Sequence, residues 1–225
     1  MKMEKQLTLR IKRISRPHDG GTIHYYWQDF KVNVSKQDFV LDALEAAWKQ
    51  DPSLMFRHSC HHASCGSCGL LIQGRERLAC VTPAFGADRR GVLHLEPLHN
   101  FPVVADLVVD MGSLAQKLER VKAQTVTENG NAQRFESCIE CGLCISACPI
   151  SATNENYLGP AVLAAARNNI ASPEVRQQVE SRDGIWRCHG AFECTEVCPA
   201  GVEPAAAIIH LRKELLISTI KRKGK

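Results

Sequence analysis

Cys138, Cys141, Cys144 and Cys148, followed by Pro149, read C-x₂-C-x₂-C-x₃-C-P. Thiolates at that spacing hold iron in iron–sulfur clusters, the first three on one cubane and the fourth reaching across to a second cluster. The run therefore requires a partner downstream. Adding 50 to each ligand number gives Cys188, Ala191, Cys194 and Cys198, and Pro149 maps onto Pro199. Under the crossing rule, Cys138, Cys141, Cys144 and Cys198 make a complete set for a [4Fe–4S] cluster. Cys148, Cys188 and Cys194 make only three, because Ala191 offers a methyl group where a thiolate is needed. A [3Fe–4S] cluster is expected there; a whole cube with water or hydroxide on its fourth iron is the alternative.

A second group lies earlier. Cys60-x₄-Cys65-x₂-Cys68, with Cys80 beyond, has the plant-type spacing for a [2Fe–2S] cluster. Gly66 and Gly69 sit beside these ligands, where absent side chains let backbone N–H groups approach the sulfurs and set the potential. A Cys₄ zinc site usually shows two C-x₂-C pairs, and here only Cys65 and Cys68 make one. His61 and His62 lie between ligands, but four cysteines leave no need for a Rieske-type pair of histidines.

The elements that must position these groups follow from periodicity. Leu7, Leu9 and Ile11 alternate with polar residues, Asp19-Gly20-Gly21 supplies a turn, and Ile23 to Val34 continues as strand. Ser35 and Asp38 cap a helix with Val40, Leu41, Leu44, Ala47 and Trp48 on its core face, ended by Asp51-Pro52. Strand, strand, helix and cysteine loop is the order of a β-grasp ferredoxin, with Val92, Leu93 and Leu95 in its last strand. Pro97 and Pro102 punctuate a boundary. Residues 103–122 read as helix broken near Gly112, and Thr125 to Asn131 as an exposed polar loop. Helices follow over Ala161–Asn169 and Glu174–Glu180, with Pro160 and Pro173 as first residues and Ser172 as a cap. A last amphipathic helix runs from Pro204 to about Ser218 through Ile208, Ile209, Leu211, Leu215 and Leu216. The expected fold is α+β: a β-grasp [2Fe–2S] ferredoxin domain over 1–102, then an all-helical domain over 103–225 for two cubane-type clusters.

Composition excludes other classes. The 225 residues are 44% hydrophobic and 23% charged with a formal net charge of +4, too small and scattered for nucleic-acid binding. Eleven cysteines cannot all pair as disulfides, and thiolate ligands need a reducing compartment. The sequence carries no signal-peptide core and no run of roughly 20 uncharged apolar residues. A soluble or peripheral protein on the cytoplasmic (or matrix) side is expected. No G-x-G-x-x-G follows a strand, and no nucleophile–base pair stands out. Iron–sulfur centres pass single electrons, so two-electron chemistry is expected on a partner.

The plant-type group, then C-x₂-C-x₂-C-x₃-C-P, then C-x₅-C-x₃-C-P, resembles the iron–sulfur subunit of succinate dehydrogenase and fumarate reductase over almost the whole chain. Asp51-Pro52-Ser53-Leu54-Met55-Phe56-Arg57, Asp106-Leu107-Val108-Val109-Asp110, Gly159-Pro160-Ala161 and Trp186-Arg187-Cys188-His189 match in kind. The resemblance implies a flavoprotein partner with covalent FAD and a membrane anchor with quinone, joined by electrons passing through the three clusters in chain order. It also implies a quinone vicinity at Pro149, Thr153 and His189. Many ubiquinone-using relatives carry a tryptophan four residues after the proline of the middle motif. Here that residue is Thr153, which brings in menaquinone or another acceptor.

Two other readings compete. Related iron–sulfur subunits serve thiol-linked fumarate reductases and heterodisulfide-type reductases, which often carry extra C-C-G segments that this sequence lacks. A zinc-stapled scaffold for protein interaction would be colourless.

Overall fold

A computed structural model describes residues 4–15, 22–122, 125–126, 132–133 and 138–223 of the chain. They form two compact units, residues 1–110 and 111–225.

In the first unit, strands β1 (Glu4–Ser15) and β2 (His24–Ser35) pair antiparallel, with Leu9 opposite Phe30. The expected turn at Asp19-Gly20-Gly21 lies outside the described residues. Alternation sends Leu7, Leu9 and Ile11 to one face, where they are fully buried with Phe30, Val32 and Val34. Helix α1 (Val40–Gln50) covers that face with Val40, Leu41, Ala43, Leu44 and Ala47. Asp38 accepts from the Ser35 N–H and hydroxyl, and Asp42 from the Phe39 N–H, which sets the helix start. Trp48, expected in the core, is 45% exposed at the edge of the apolar stripe. Strands β3 (Gly69–Ile72), β4 (Arg75–Leu78) and β5 (Val92–Glu96) complete a sheet ordered β2-β1-β5-β3-β4, in which β5 runs parallel to β1.

The helix expected over 103–122 does not form as one element. Val103–Ala105 and Val108–Val109 are short antiparallel strands β6 and β7, and helix α2 spans only Gly112–Arg120. Asp106 turns the chain between the strands at φ +43°, and the flanking valines suit a pleated surface. Its carboxylate accepts from the N–H groups of Ile14 (3.1 Å) and Met55 (2.9 Å) and from buried Arg13 (3.1 Å). These bonds tie the hairpin to the first unit, so the boundary falls at 110/111 rather than 102/103.

Among its described residues the second unit is helical apart from a short strand pair, β8 (Thr125–Val126) with β9 (Ala132–Gln133), where an exposed loop was expected from Thr125. Residues 127–131 of that loop lie outside the described residues. The helices are α3 (Leu143–Ser146), α4 (Pro149–Thr153), α5 (Pro160–Ala166), α6 (Pro173–Glu180), α7 (Glu193–Glu196) and α8 (Pro204–Lys223). Every residue of α5 is buried, as for a helix surrounded by others. Helix α8 packs on it and buries Ala205, Ala207, Ile208, Leu211 and Leu215. The apolar face expected of α8 is split: Ile209 and Leu216 are exposed.

Candidate iron–sulfur sites

The Asp106 hub fixes where the first cysteine loop begins. Arg13 donates to Asp51 (2.7 Å), Gln28 (2.6 Å) and Ser53 (2.9 Å) as well as to Asp106. Asp51 is held far below the usual carboxylate range, first by the Ser53 hydroxyl and N–H and then by Arg13. With the Asp106–Met55 bond, this pins the extended segment that leads through Phe56, Arg57 and His58 to Cys60.

Beyond Cys60 the backbone winds tightly, with left-handed φ at His61 (61°), Ala63 (60°) and Gly66 (71°). The winding aims consecutive N–H groups at sulfur. Ser64 and Cys65 donate to Cys60 Sγ (both 3.3 Å), His62 donates to it at 3.5 Å, and Ala63 donates to Cys80 Sγ (3.3 Å). These donors are the successive residues 62–65, ligand Cys65 among them, rather than Gly66 or Gly69; Gly66 supplies the turn. His61 and His62 are exposed. Cys60 and Cys65 are hydrogen-bonding neighbours, and so are Cys68 and Cys80, the latter on the 3₁₀ turn Ala79–Val81. The Cys60 thiol is drawn down to about 7, chiefly by the His62 N–H, whereas burial pushes Cys68 up to about 12.

Arg57 tests whether this loop fits a cluster. Burial lowers its guanidinium pKa, Cys68 raises it through the field of a nearby thiolate, and its buried Nε and Nη2 have no hydrogen-bond partner. Buried donors without acceptors are costly. Two pairs of thiolates with an anionic inorganic core between them supply two ligands per iron and the missing negative charge, so the residues fit a [2Fe–2S] group. Ligand spacing carries no signal for Arg57, which in the sequence is the last residue of the stretch Asp51–Arg57.

In the second unit, Cys138, Cys141, Cys144 and Cys198 line one recess with about 420 Å³ of space free of protein atoms, walled by Gly142, Ala161, Pro199 and Val202. Cys148, Cys188 and Cys194 line another of about 480 Å³ together with Ala191. Burial pushes Cys141 and Cys194 up to about 11 and Cys144 well above its ordinary value, with neighbouring cysteines adding to each shift. Crowded buried thiolates need cations between them, which iron provides. Among the described residues no disulfide forms. The donor sets fit iron–sulfur groups of four and three protein ligands.

The two halves of this arrangement repeat at +50. Gly142 and Phe192 are both left-handed (φ 81° and 68°), as are Glu140 and Gly190 (53° and 72°). Helices α3 and α7 follow at matching positions, and the bonds Ser146→Gly142, Ala147→Leu143 and Cys148→Ile145 recur as Glu196→Phe192, Val197→Glu193 and Cys198→Thr195. Ala191 thus occupies the backbone position of ligand Cys141.

The three-cysteine recess is also lined by Pro149, His189, Tyr157, Phe192 and Arg212. Thr153, placed near the quinone by resemblance, is at the end of α4 outside that lining, and its hydroxyl donates to the Ile150 carbonyl (3.1 Å). Spacing gave no sign of two residues here. Buried Tyr157 hydrogen-bonds the Cys188 side chain, and its pKa is raised strongly, first by burial. Arg212 donates to the carbonyls of Ile185 (2.8 Å) and Cys188, while its buried Nε has no partner.

Known proteins share this organisation. Residues 8–116 match the family model for a 2Fe-2S iron-sulfur cluster binding domain, and residues 134–202 that for a 4Fe-4S dicluster domain. The fumarate reductase iron-sulfur subunit of Mycobacterium tuberculosis is 38% identical, covering 87% of this chain and 88% of its own. That of Haemophilus influenzae is 34% identical, covering 87% and 90%. The succinate dehydrogenase iron-sulfur subunit of Coxiella burnetii is 33% identical, covering 86% and 92%. A chain of the Mycobacterium smegmatis Sdh1 complex superposes with a TM-score of 0.73 at 27% identity, covering 94% of this chain and 96% of that one. The chain belongs to the iron–sulfur subunits of succinate dehydrogenase and fumarate reductase and serves electron transfer.

Proposed function

We propose that this chain relays single electrons between the FAD site of a flavoprotein partner, where succinate is oxidised or fumarate reduced, and a quinone held by a membrane anchor. Cys60, Cys65, Cys68 and Cys80 hold the [2Fe–2S] group, Cys138, Cys141, Cys144 and Cys198 the [4Fe–4S] group, and Cys148, Cys188 and Cys194 the [3Fe–4S] group. Bound there, these groups supply reversible one-electron transfer. The chain's own residues hold them and aim N–H donors at their sulfurs, which sets the order of potentials.

The observation that carries the reading is the partition of seven cysteines into sets of four and three by two equivalent backbone frames, with Ala191 in the frame position of Cys141. The short set suits the terminal position, because losing an iron normally raises the potential of the last centre in this family. Exposed Trp186, Phe192 and Ile209 around or beside that recess support a partner there. His189 is exposed on the same lining. Among the described residues no helix is long and apolar enough to cross a membrane; the reading places the chain against a separate anchor at the cytoplasmic face of the inner membrane.

The test is substrate-linked reduction in the assembled complex. Succinate should bleach the cluster absorbance of the complex formed with flavoprotein and anchor, and added quinone (menaquinone and ubiquinone separately) should restore it. Clusters that dithionite reduces but succinate leaves oxidised would contradict the assignment.

A further inference from the structure

Helix α1 and the Cys60 loop bring together three side chains that the electron relay does not use. Glu45 projects from α1, His58 precedes Cys60, and His61 follows it. His58 Nδ1 and His61 Nε2 are 3.3 Å apart, and the Glu45 carboxylate oxygen Oε1 lies 3.6 Å from the second and 3.9 Å from the first. Each residue offers one ligand atom, and the three atoms lie within 4.8 Å of one another. Tetrahedral zinc with bonds of about 2.1 Å places its ligand atoms about 3.4 Å from one another, so the triangle is close to the size that an ion needs.

We propose that Glu45, His58 and His61 form a binding site for a divalent transition-metal ion, distinct from the cysteine sites. Two imidazole nitrogens and one carboxylate select zinc, nickel or copper over magnesium or calcium, which prefer all-oxygen sets. Three protein ligands leave a position for water, and side-chain exposures of 35%, 41% and 46% give an ion from solvent a direct approach.

The loop sets this geometry without a metal. His61 is held in the left-handed region by the winding that carries the His62 N–H to Cys60 Sγ. Phe56 stacks on the His58 ring at 5.2 Å, and the His61 ring meets it edge-on at 5.4 Å. Rings fixed by packing lose little freedom when they coordinate. In the metal-free protein one imidazole donates to the other across the 3.3 Å gap. On coordination the donating ring carries its proton on its other nitrogen, so that both facing nitrogens offer lone pairs to the ion, and α1 is joined to the cysteine loop through metal bonds.

One consequence rests on the proposed function. His61 adjoins ligand Cys60, so a dication there favours the reduced, more negative state of the [2Fe–2S] group and raises its potential.

The experiment uses the cluster-loaded protein without a histidine tag, with iron and sulfide content measured so that no cysteine set is empty. Titration with zinc alone by calorimetry should show one equivalent bound at micromolar or tighter affinity. Glu45→Gln, His58→Gln and His61→Gln should each weaken it by roughly tenfold or more while the [2Fe–2S] absorbance stays, which shows that the loop has kept its fold. Failure of the wild type to bind zinc, or unchanged binding in all three variants, overturns the site. Zinc should also raise the midpoint potential of the [2Fe–2S] couple in the wild type but not in His61→Gln. Binding without that shift overturns the link to the cluster and leaves the metal site standing. Absence of a [2Fe–2S] spectrum before zinc is added would sink the cluster assignment instead.

Discussion

Gly142 and Phe192 stand fifty residues apart and hold the same left-handed backbone, at φ 81° and 68°. Each opens a one-turn helix that carries a ligand two residues later, Cys144 in α3 and Cys194 in α7. A glycine adopts this conformation without strain, whereas a side chain there costs about 1–2 kcal/mol. The repeat has kept the backbone where it has lost both the glycine and, one residue earlier, the cysteine. Gly142→Ala should therefore lower stability by about 1 kcal/mol. Phe192→Asn, which tolerates the conformation better and removes a half-exposed ring, should raise the melting temperature of the loaded protein. A fall for Phe192→Asn would show that ring packing outweighs the backbone strain.

Ala191→Cys should restore the fourth thiolate in the three-cysteine recess. The variant should bind one more iron per chain and convert the [3Fe–4S] group to a [4Fe–4S] group of lower potential. Iron analysis with a redox titration checks this; unchanged iron content and potential would show that position 191 does not reach the cluster.

Arg57 has two buried donors without protein partners, close to Cys68. Arg57→Gln should remove a positive charge from beside the [2Fe–2S] group and lower its midpoint by tens of millivolts, where about 59 mV is a tenfold change for one electron. The potentials of the other two centres should stay where they are. A potentiometric titration followed by electron paramagnetic resonance separates the three.

Asp106→Ala should leave Arg13 with a buried, half-paired charge and release the Ile14 and Met55 N–H groups. Loss of one partner of a buried ion pair costs roughly 3–5 kcal/mol. Asp51 and Ser53 remain on the guanidinium, which places the expected loss at the lower end of that range. Chemical denaturation of the first unit's tertiary signal measures it.

These sites differ in how far the sequence discloses them. The cysteine groups are legible because ligand spacing is local and the +50 repeat lies along one chain. The β1–β2 hairpin is legible because Leu7, Leu9 and Ile11 keep a strict period of two. Residues 103–109 are not, since Val103, Val104, Leu107, Val108 and Val109 satisfy helix and strand patterns alike. What decides between them is the bond from Asp106 to Arg13, 93 residues away. Trp48 misled because an apolar type at helical spacing says nothing about where the covering sheet ends. Arg57 and Tyr157 were hidden for a similar reason: their importance lies in what surrounds them, not in a spacing.

The central claim is that the set of Cys148, Cys188 and Cys194 holds a cluster short of one iron. Electron paramagnetic resonance of the anaerobically purified, then oxidised protein tests it most directly. Three ferric ions have an odd number of unpaired electrons, whereas oxidised [2Fe–2S] and [4Fe–4S] groups have paired spins. The account predicts a signal in the oxidised protein, near one spin per chain, that dithionite removes as signals from the other two centres appear. An oxidised protein with full iron content and no such signal would contradict it, because the third centre would then be a complete cube despite Ala191.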